Sequence, residues 1–183
     1  MKNLLVALDL EFNQPSGKII QIGAVLGNSL TGEIVDEFSC MVNPLETLSP
    51  AIIELTGISQ DQVDSGVSLT TGYNLLQQWL TPSKKHRVMN PLTWGGGDSI
   101  ALLKELNDPT LEETFIFGRR WLDTKTLYTA WAIQNRKDFI GGLEKSTRRV
   151  GLNFEGRPHN ALTDARNTFH MWMRLSQKFN KES

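Results

Sequence analysis

The segment from Leu4 to Phe12 is apolar except for two acids, Asp9 and Glu11, near its end. An apolar run of this length predicts a buried strand whose far end reaches a site. Side chains two residues apart on a strand leave the same face of the sheet. Asp9 and Glu11 are therefore expected to point to one place.

Two carboxylates this close repel each other when both are ionised. Burial increases the cost unless a cation intervenes or one group takes up a proton. Oxygen ligands suit Mg²⁺ or Mn²⁺, which leave coordination positions for water and a substrate phosphate. The alternative is a strand tip whose acids simply meet solvent, and Asp-x-Glu alone is too common to decide between the two.

Strands and helices are predicted in an order that is typical of an α/β protein. The predicted strands cover 4–12, 18–26, 32–42, 86–94 and 115–117. The predicted helices begin at Pro50 and after Ser59, and further ones cover 71–80, 98–106, 123–134, 143–150 and 161–179. Strands come first and then alternate with helices, which predicts a mixed sheet flanked by helices. The 183 residues suit one domain with a hydrophobic core.

The charge balance argues against a protein that holds long nucleic acid mainly by bulk positive charge. Nineteen Lys and Arg nearly cancel twenty Asp and Glu. The basic clusters 84–87, 119–120 and 148–149 are either phosphate contacts or solvated surface.

The lone Cys40 has no partner for a disulfide, and no segment suits a signal peptide or a bilayer span. We therefore expect a cytoplasmic, intracellular setting and no membrane partner.

Two further segments carry residues that suit a catalytic site. Asp98 follows three glycines and opens a predicted helix, where an aspartate is also favoured simply as an N-cap. The glycines allow another group to approach the backbone closely, as a bound nucleotide requires. His159 lies in a loop before the last helix, Asn160 is the predicted N-cap, and Asp164 falls on the first full turn.

In order along the chain, three motifs resemble those of the DEDDh exonucleases, also called the DnaQ-like superfamily. They are Asp9-Leu10-Glu11, Asp98, and His159-Asn160-Ala161-Leu162-Thr163-Asp164-Ala165. The segments 55–64, 94–95 and 151–157 are similar to the branch of ERI-1 type RNA exonucleases and bacterial KapD-like proteins. This resemblance implies one exonuclease domain over 1–183 with a ribonuclease H-like fold, in which a mixed five-stranded sheet is flanked by helices.

The resemblance also implies a 3′→5′ exonuclease that hydrolyses phosphodiester bonds at the 3′ end of single-stranded nucleic acid and releases nucleoside 5′-monophosphates. Its cofactors would be two divalent ions, Mg²⁺ or Mn²⁺. Asp9, Glu11 and Asp164 would hold one ion, Asp9 would also hold the second, and Asp98 would support that second ion through water. His159 would be the general base, because histidine titrates near neutral pH. Two such ions suit an in-line displacement at phosphorus.

The substrate is less constrained than the chemistry. Likeness to the ERI-1 branch favours RNA, and the alternatives are a DNA exonuclease of the proofreading or repair type or a nuclease-like binding module without catalysis. A third alternative is an α/β domain whose acids are caps and surface charges.

In this family the terminal nucleotide lies beside the first strand, which nominates four apolar contacts to bases: Leu10, Phe12, Leu55 and Ile58. Core packing is an equal alternative for Phe12. The glycine-rich turn before Asp98 departs from the family pattern, which leaves open whether Asp98 is positioned without substrate.

Overall fold

The computed structural model describes residues 3–84, 90–106, 117 and 120–179. Within these residues one sheet has the strand order β3-β2-β1-β4-β5. The strands are β1 (Leu4–Phe12), β2 (Ile19–Asn28), β3 (Ile34–Met41), β4 (Leu92–Thr93) and β5 (Leu122–Asp123). β2 runs antiparallel to both β1 and β3, whereas β4 runs parallel to β1 and β5. The predicted α/β architecture with a mixed five-stranded sheet is confirmed.

The helices of the described residues are α1 (Pro50–Thr56), α2 (Gln60–Asp64), α3 (Leu69–Lys84), α4 (Gly97–Leu106), α5 (Thr124–Gln134), α6 (Leu143–Arg149) and α7 (Ala161–Phe179). Two of them, α1 and α2, begin at the serine caps that the sequence predicted, and the helix predicted at 71–80 is longer and begins at Leu69. Ser49 accepts a hydrogen bond from the Ile52 N–H, and Ser59 forms a capping box with Gln62. None of these helices combines the length and apolarity that crossing a bilayer requires.

The side chains of β1 alternate between two layers of the protein. The even-numbered residues pack in a large core with residues of α3 and with Leu102 of α4. Leu5 and Ala7 instead face α7, where they belong to a cluster with Ala165, Phe169 and Met173. Because alternation continues along the strand, Asp9 and Glu11 leave the sheet on the face that α7 covers.

Of the last two strands, the sequence located β4 within a longer predicted run and missed β5. β4 contains only Leu92 and Thr93, and the earlier part of its predicted range, 86–89, lies outside the described residues. The fifth strand was predicted at 115–117, of which 115 and 116 also lie outside them. Phe117 is not in a strand but is buried, with its ring 5.3 Å from that of Trp121. The observed strand is Leu122–Asp123, and two residues are too few to show a periodic pattern.

Candidate active site

The two acids of β1 lie opposite two unusual residues of β2. In the antiparallel register, Asp9 pairs with Gly23 and Glu11 pairs with Gln21. Glu11 is 8% exposed, and Asp9 is half-buried. The strand pairing therefore places both carboxylates above the part of β2 on which the last helix begins.

Two residues of β2, Gly23 and Gln21, allow the first turn of α7 to pack closely against the sheet. A Cβ on Gly23 would lie 2.2 Å from the carbonyl carbon of Ala161, so only a glycine leaves room for the helix there. The buried Gln21 side chain accepts a hydrogen bond from the Ala161 N–H through its Oε1 at 3.0 Å. That bond satisfies one of the unpaired N–H groups at the helix start. Together the two residues bring α7 close to Asp9 and Glu11.

The start of α7 presents Asp164 and His159 to the same place. Asn160 Oδ1 accepts the Thr163 N–H at 3.2 Å, which confirms Asn160 as a capping residue. The backbone N–H of His159 donates to Asp164 Oδ2 at 3.2 Å. His159 has a φ of 60°, an uncommon conformation for a residue with a side chain and one that often marks functional sites. Ligand atoms of Glu11, His159 and Asp164 lie within 4.8 Å of one another.

Asp98 joins the cluster from the other side of β1. It lies within the first turn of α4, which begins at Gly97, so it is not the N-cap that the structural alternative required. Its side chain is buried, with 9% exposure. The charge of Asp98 acts on both Asp9 and Glu11, which places the three acids in one electrostatic neighbourhood.

All four carboxyl groups hold protons more tightly than free acids do. Burial, followed by repulsion from Asp98, Asp164 and Glu11, raises the pKa of Asp9 well above its ordinary value. Burial and then the charges of Asp164 and Asp98 raise the pKa of Glu11 to about 8. Burial is also the main cause that raises the pKa of Asp98 to about 7 and that of Asp164 to about 6. The cluster is therefore unfavourable when fully ionised without a cation.

The donor set fits divalent ions that prefer oxygen ligands. One oxygen of Asp164, Oδ1, is buried and has no hydrogen-bond partner among the described residues. A buried acceptor of this kind is costly unless a ligand satisfies it. Carboxylate oxygens with room for water and phosphate are typical of Mg²⁺ and Mn²⁺ sites. The residues present therefore fit the predicted metal group.

The predicted base contacts occupy different environments. Leu10 is 4% exposed and packs in the large core, and Ile58 is 2% exposed and packs in a smaller core below α1. These placements do not favour contact between either side chain and a base. Leu55 is 47% exposed on α1, and Phe12 is half-buried at the end of β1. These two remain predicted contacts.

Two surface cavities of the described residues are lined by side chains other than the predicted catalytic ones. One cavity of about 440 Å³ is bordered by residues that include Lys18, Pro44 and Glu105, and another of similar volume borders His170 and Arg174. None of the five predicted catalytic residues lines either cavity.

Sequence reasoning missed three residues that shape the cluster. Gln21 is a lone amide within the Ile-rich run 19–25, and a polar residue in a buried strand is a signal that could have been noticed. Gly23 in the same strand marks a close backbone approach. Asp123 was predicted only as the start of a helix, but its carboxylate also accepts the Gly95 N–H at 2.9 Å.

The comparison with protein families decides the assignment. A family model described as Exonuclease, RNase_T, matches residues 6–171. The chain belongs to this exonuclease family. With the relatives and solved structures described next, this match confirms the predicted membership of the DEDDh exonucleases and the likeness to ERI-1 type proteins.

Relatives of this exonuclease-family chain are longer than it is. The 3′-5′ exonuclease Snipper of Drosophila melanogaster is 34% identical over 167 residues, covering 82% of this chain and 58% of Snipper. ERI1 exoribonuclease 2 of Homo sapiens is 32% identical over 173 residues, covering 84% of this chain and 24% of that protein. The chain thus spans little more than half of one relative and a quarter of the other.

Solved structures of DEDDh nucleases share the fold of this exonuclease-family chain. The nuclease domain of 3′hExo, a DEDDh family member bound to rAMP, superposes with a TM-score of 0.78 at 23% identity and covers 97% of this chain and 93% of its own. Cell-death related nuclease 4 has a TM-score of 0.79 at 20% identity, with 96% and 64% covered. Both likenesses support the predicted ribonuclease H-like fold.

Proposed function

We propose that the protein is a metal-dependent 3′→5′ exonuclease that hydrolyses phosphodiester bonds at the 3′ end of single-stranded nucleic acid, with RNA as the favoured substrate. The observation that carries the proposal is the convergence of Asp9, Glu11, Asp98 and Asp164 with His159. These residues come from three separate parts of the fold. All four acids have raised pKa values, and a structural set of caps and surface charges would not converge in this way.

Asp9, Glu11 and Asp164 are proposed to hold one divalent ion, with Asp9 shared with a second ion that Asp98 supports. When bound, two Mg²⁺ or Mn²⁺ ions neutralise the four acids and stabilise negative charge on the scissile phosphate. The His159 ring is exposed, and its ring nitrogen is within 4.8 Å of ligand oxygens of Glu11 and Asp164. We assign it as the base that takes the proton from the attacking water.

The terminal nucleotide is proposed to lie beside the end of β1, between Phe12 and Leu55. An aromatic ring such as that of Phe12 can stack on a base without reading its identity, and the exposed Leu55 can add apolar contact. We expect a trimming activity without sequence preference and with nucleoside 5′-monophosphates as products.

RNA is favoured over DNA because one group of relatives at 31–32% identity is named exoribonuclease. A DNA 3′→5′ exonuclease is the enzymatic alternative, because Snipper is named an exonuclease without reference to RNA. A protein that prefers RNA must contact the 2′-hydroxyl. The choice of polymer therefore has to be measured.

The test is a time course on 5′-labelled single-stranded RNA and DNA of the same sequence, with Mg²⁺, with Mn²⁺ and with EDTA. We expect a ladder that shortens from the 3′ end, runs faster on RNA, and stops in EDTA. Asp164→Asn should stop it as well, while Asp61→Asn, which changes an exposed carboxylate on α2, should leave it unchanged. Internal cleavage would contradict the exonuclease assignment. Intact substrates with both metals would favour the binding module.

A further inference from the structure

We propose that Asp123 is a positioning residue that holds the turn 95–97, and with it Asp98, in place before substrate binds. The inference rests on the proposed function, because it assigns Asp98 a part in the active site. Asp123 itself need not touch substrate or metal. It acts through the backbone that carries Asp98.

The turn that carries Asp98 has little packing of its own. Among the residues that the structure describes, no neighbouring atom lies within 4 Å of a Cβ added at Gly95, Gly96 or Gly97. Gly95 also has a φ of +101°, which side chains rarely allow. Three glycines without such contacts have wide conformational freedom, so hydrogen bonds to the turn, together with the packing of Leu102 in the core, fix where α4 begins and where Asp98 lies.

Those hydrogen bonds come from the ends of β4 and β5. Asp123 Oδ1 accepts the Gly95 N–H at 2.9 Å, and Thr93 Oγ1 donates to the Gly95 carbonyl at 2.7 Å. Thr93 and Asp123 are paired in the parallel ladder, so the two anchors are fixed relative to each other. Both backbone polar groups of Gly95 are thus hydrogen-bonded to side chains of the sheet. Gly96 and Gly97 then connect this fixed residue to Asp98.

The carboxylate of Asp123 accepts two further hydrogen bonds, both from the first turn of α5. Oδ1 also accepts the Lys125 N–H at 2.8 Å as the cap of α5, and Oδ2 accepts the Thr126 hydroxyl at 2.7 Å. Hydrogen bonds to an ionised acceptor are stronger than neutral ones. The charge of Asp123 contributes to the raised pKa of Asp98, so the two acids are near each other. One side chain therefore joins the turn before α4 to the start of α5.

Two substitutions separate this role from simple helix capping. Asp123→Asn keeps an Oδ1 that can accept both N–H groups. Asp123→Ser keeps a good N-cap for α5, but its single, shorter hydroxyl cannot also reach Gly95. We expect the serine variant to lose 10- to 100-fold in kcat, roughly the cost of removing a residue that orients a metal ligand, with KM little changed. The asparagine variant should remain within about 3-fold of the wild type. Both variants should fold, with a somewhat lower thermal midpoint for the serine variant because it loses hydrogen bonds.

Readouts other than turnover test the same inference. In the absence of substrate, Asp123→Ser should bind Mn²⁺ more weakly in calorimetry, and the Gly95 amide should exchange with deuterium faster. The control is Asp138→Ala, which removes a carboxylate that accepts the Ile140 N–H beyond the other end of α5. It should change neither Mn²⁺ affinity nor Gly95 exchange.

Wild-type Mn²⁺ affinity and slow Gly95 exchange in Asp123→Ser would overturn the proposal. So would an asparagine variant as impaired as the serine one, because the negative charge and not the acceptor would then matter. In a double-mutant cycle, Asp123→Ser should add little to Asp98→Asn. If the wild type degrades no substrate, the proposed function fails, but Mn²⁺ binding and Gly95 exchange still decide whether Asp123 positions the turn.

Discussion

At the scale of single residues, burial and mutual repulsion of the acids lower the stability of the metal-free protein, and a bound metal ion would remove this destabilisation. Glu11 is 8% exposed, and its pKa is raised to about 8. We expect Glu11→Gln to stabilise the metal-free protein at pH 8 by on the order of 2 kcal/mol, because the amide needs no proton to be neutral. Chemical denaturation in EDTA measures this gain, with exposed Glu33→Gln as the control. Equal or lower stability would contradict the assigned burial cost.

The same substitution should remove the stabilisation that Mn²⁺ gives the wild type. An amide is a weaker ligand than a carboxylate, so less ion binds to the folded state. Thermal denaturation with and without Mn²⁺ would detect the difference. A variant that still gains the full metal-induced shift would exclude Glu11 as a ligand.

His159 is the residue for which two roles remain to be separated. Its ring nitrogen is close enough to Glu11 and Asp164 to be either a proton acceptor or a metal ligand. As the general base, His159→Ala should lower kcat by about 10²- to 10⁴-fold while Mn²⁺ affinity stays unchanged. His170→Ala, a half-buried histidine further along α7, is the control and should retain activity. Weakened Mn²⁺ binding in His159→Ala would favour the ligand role, and unchanged turnover would exclude the base.

At the scale of secondary-structure elements, the site depends on how closely α7 approaches β2. Gly23→Ala would place a methyl group 2.2 Å from the Ala161 carbonyl carbon, which is backbone and cannot rotate away. We expect the start of α7 to move from the sheet, with a loss of about 1–3 kcal/mol in stability and a larger loss of activity. Denaturation and turnover measured together test this.

The matched control for that change is Gly142→Ala before α6. No atom lies within 4 Å of a Cβ there, and the backbone is extended with a φ of −77°. Because alanine is a poorer N-cap than glycine, the stability of this variant should fall by up to about 1 kcal/mol, but its activity should stay normal. If Gly23→Ala kept the stability and turnover of the wild type, the start of α7 would tolerate displacement. Its close contact with β2 would then not be required for activity.

At the scale of the whole molecule, the metal-free protein should lose stability as pH rises. The folded acids bind protons more tightly than unfolded acids, whose pKa values are 4.5 for Glu and 3.8 for Asp. The folded state therefore carries more protons between about pH 4 and pH 8, and the free energy of unfolding falls across that window. Mn²⁺ should reverse the trend, because ion binding requires the deprotonated acids.

Thermal midpoints measured from pH 5 to pH 8, in EDTA and in Mn²⁺, check this linkage. We expect a falling midpoint in EDTA and a metal-induced increase that is largest at pH 8. Asp164→Asn should flatten the metal-dependent part of the profile. A midpoint that is independent of pH in EDTA would show that the four acids do not share one environment.

The sequence by itself determined the elements that carry long periodic patterns. An apolar run predicted the bounds of β1, the cap at Asn160 predicted the start of α7, and the order of the acidic and histidine motifs predicted the family. These features are local, because side-chain period and caps act within a few residues. β4 was predicted only as part of a longer strand and β5 was missed, because two residues are too few to show a period.

Only the tertiary structure decided how the acids meet. Asp9 and Asp164 are far apart in the chain, and their approach depends on the missing side chain of Gly23 and on the hydrogen bond from Ala161 to Gln21. The turn before Asp98 is likewise tied to Asp123 across two strands. Such contacts arise between elements that packing brings together, so no single segment encodes them. The raised pKa values follow for the same reason, because burial and mutual repulsion exist only after folding.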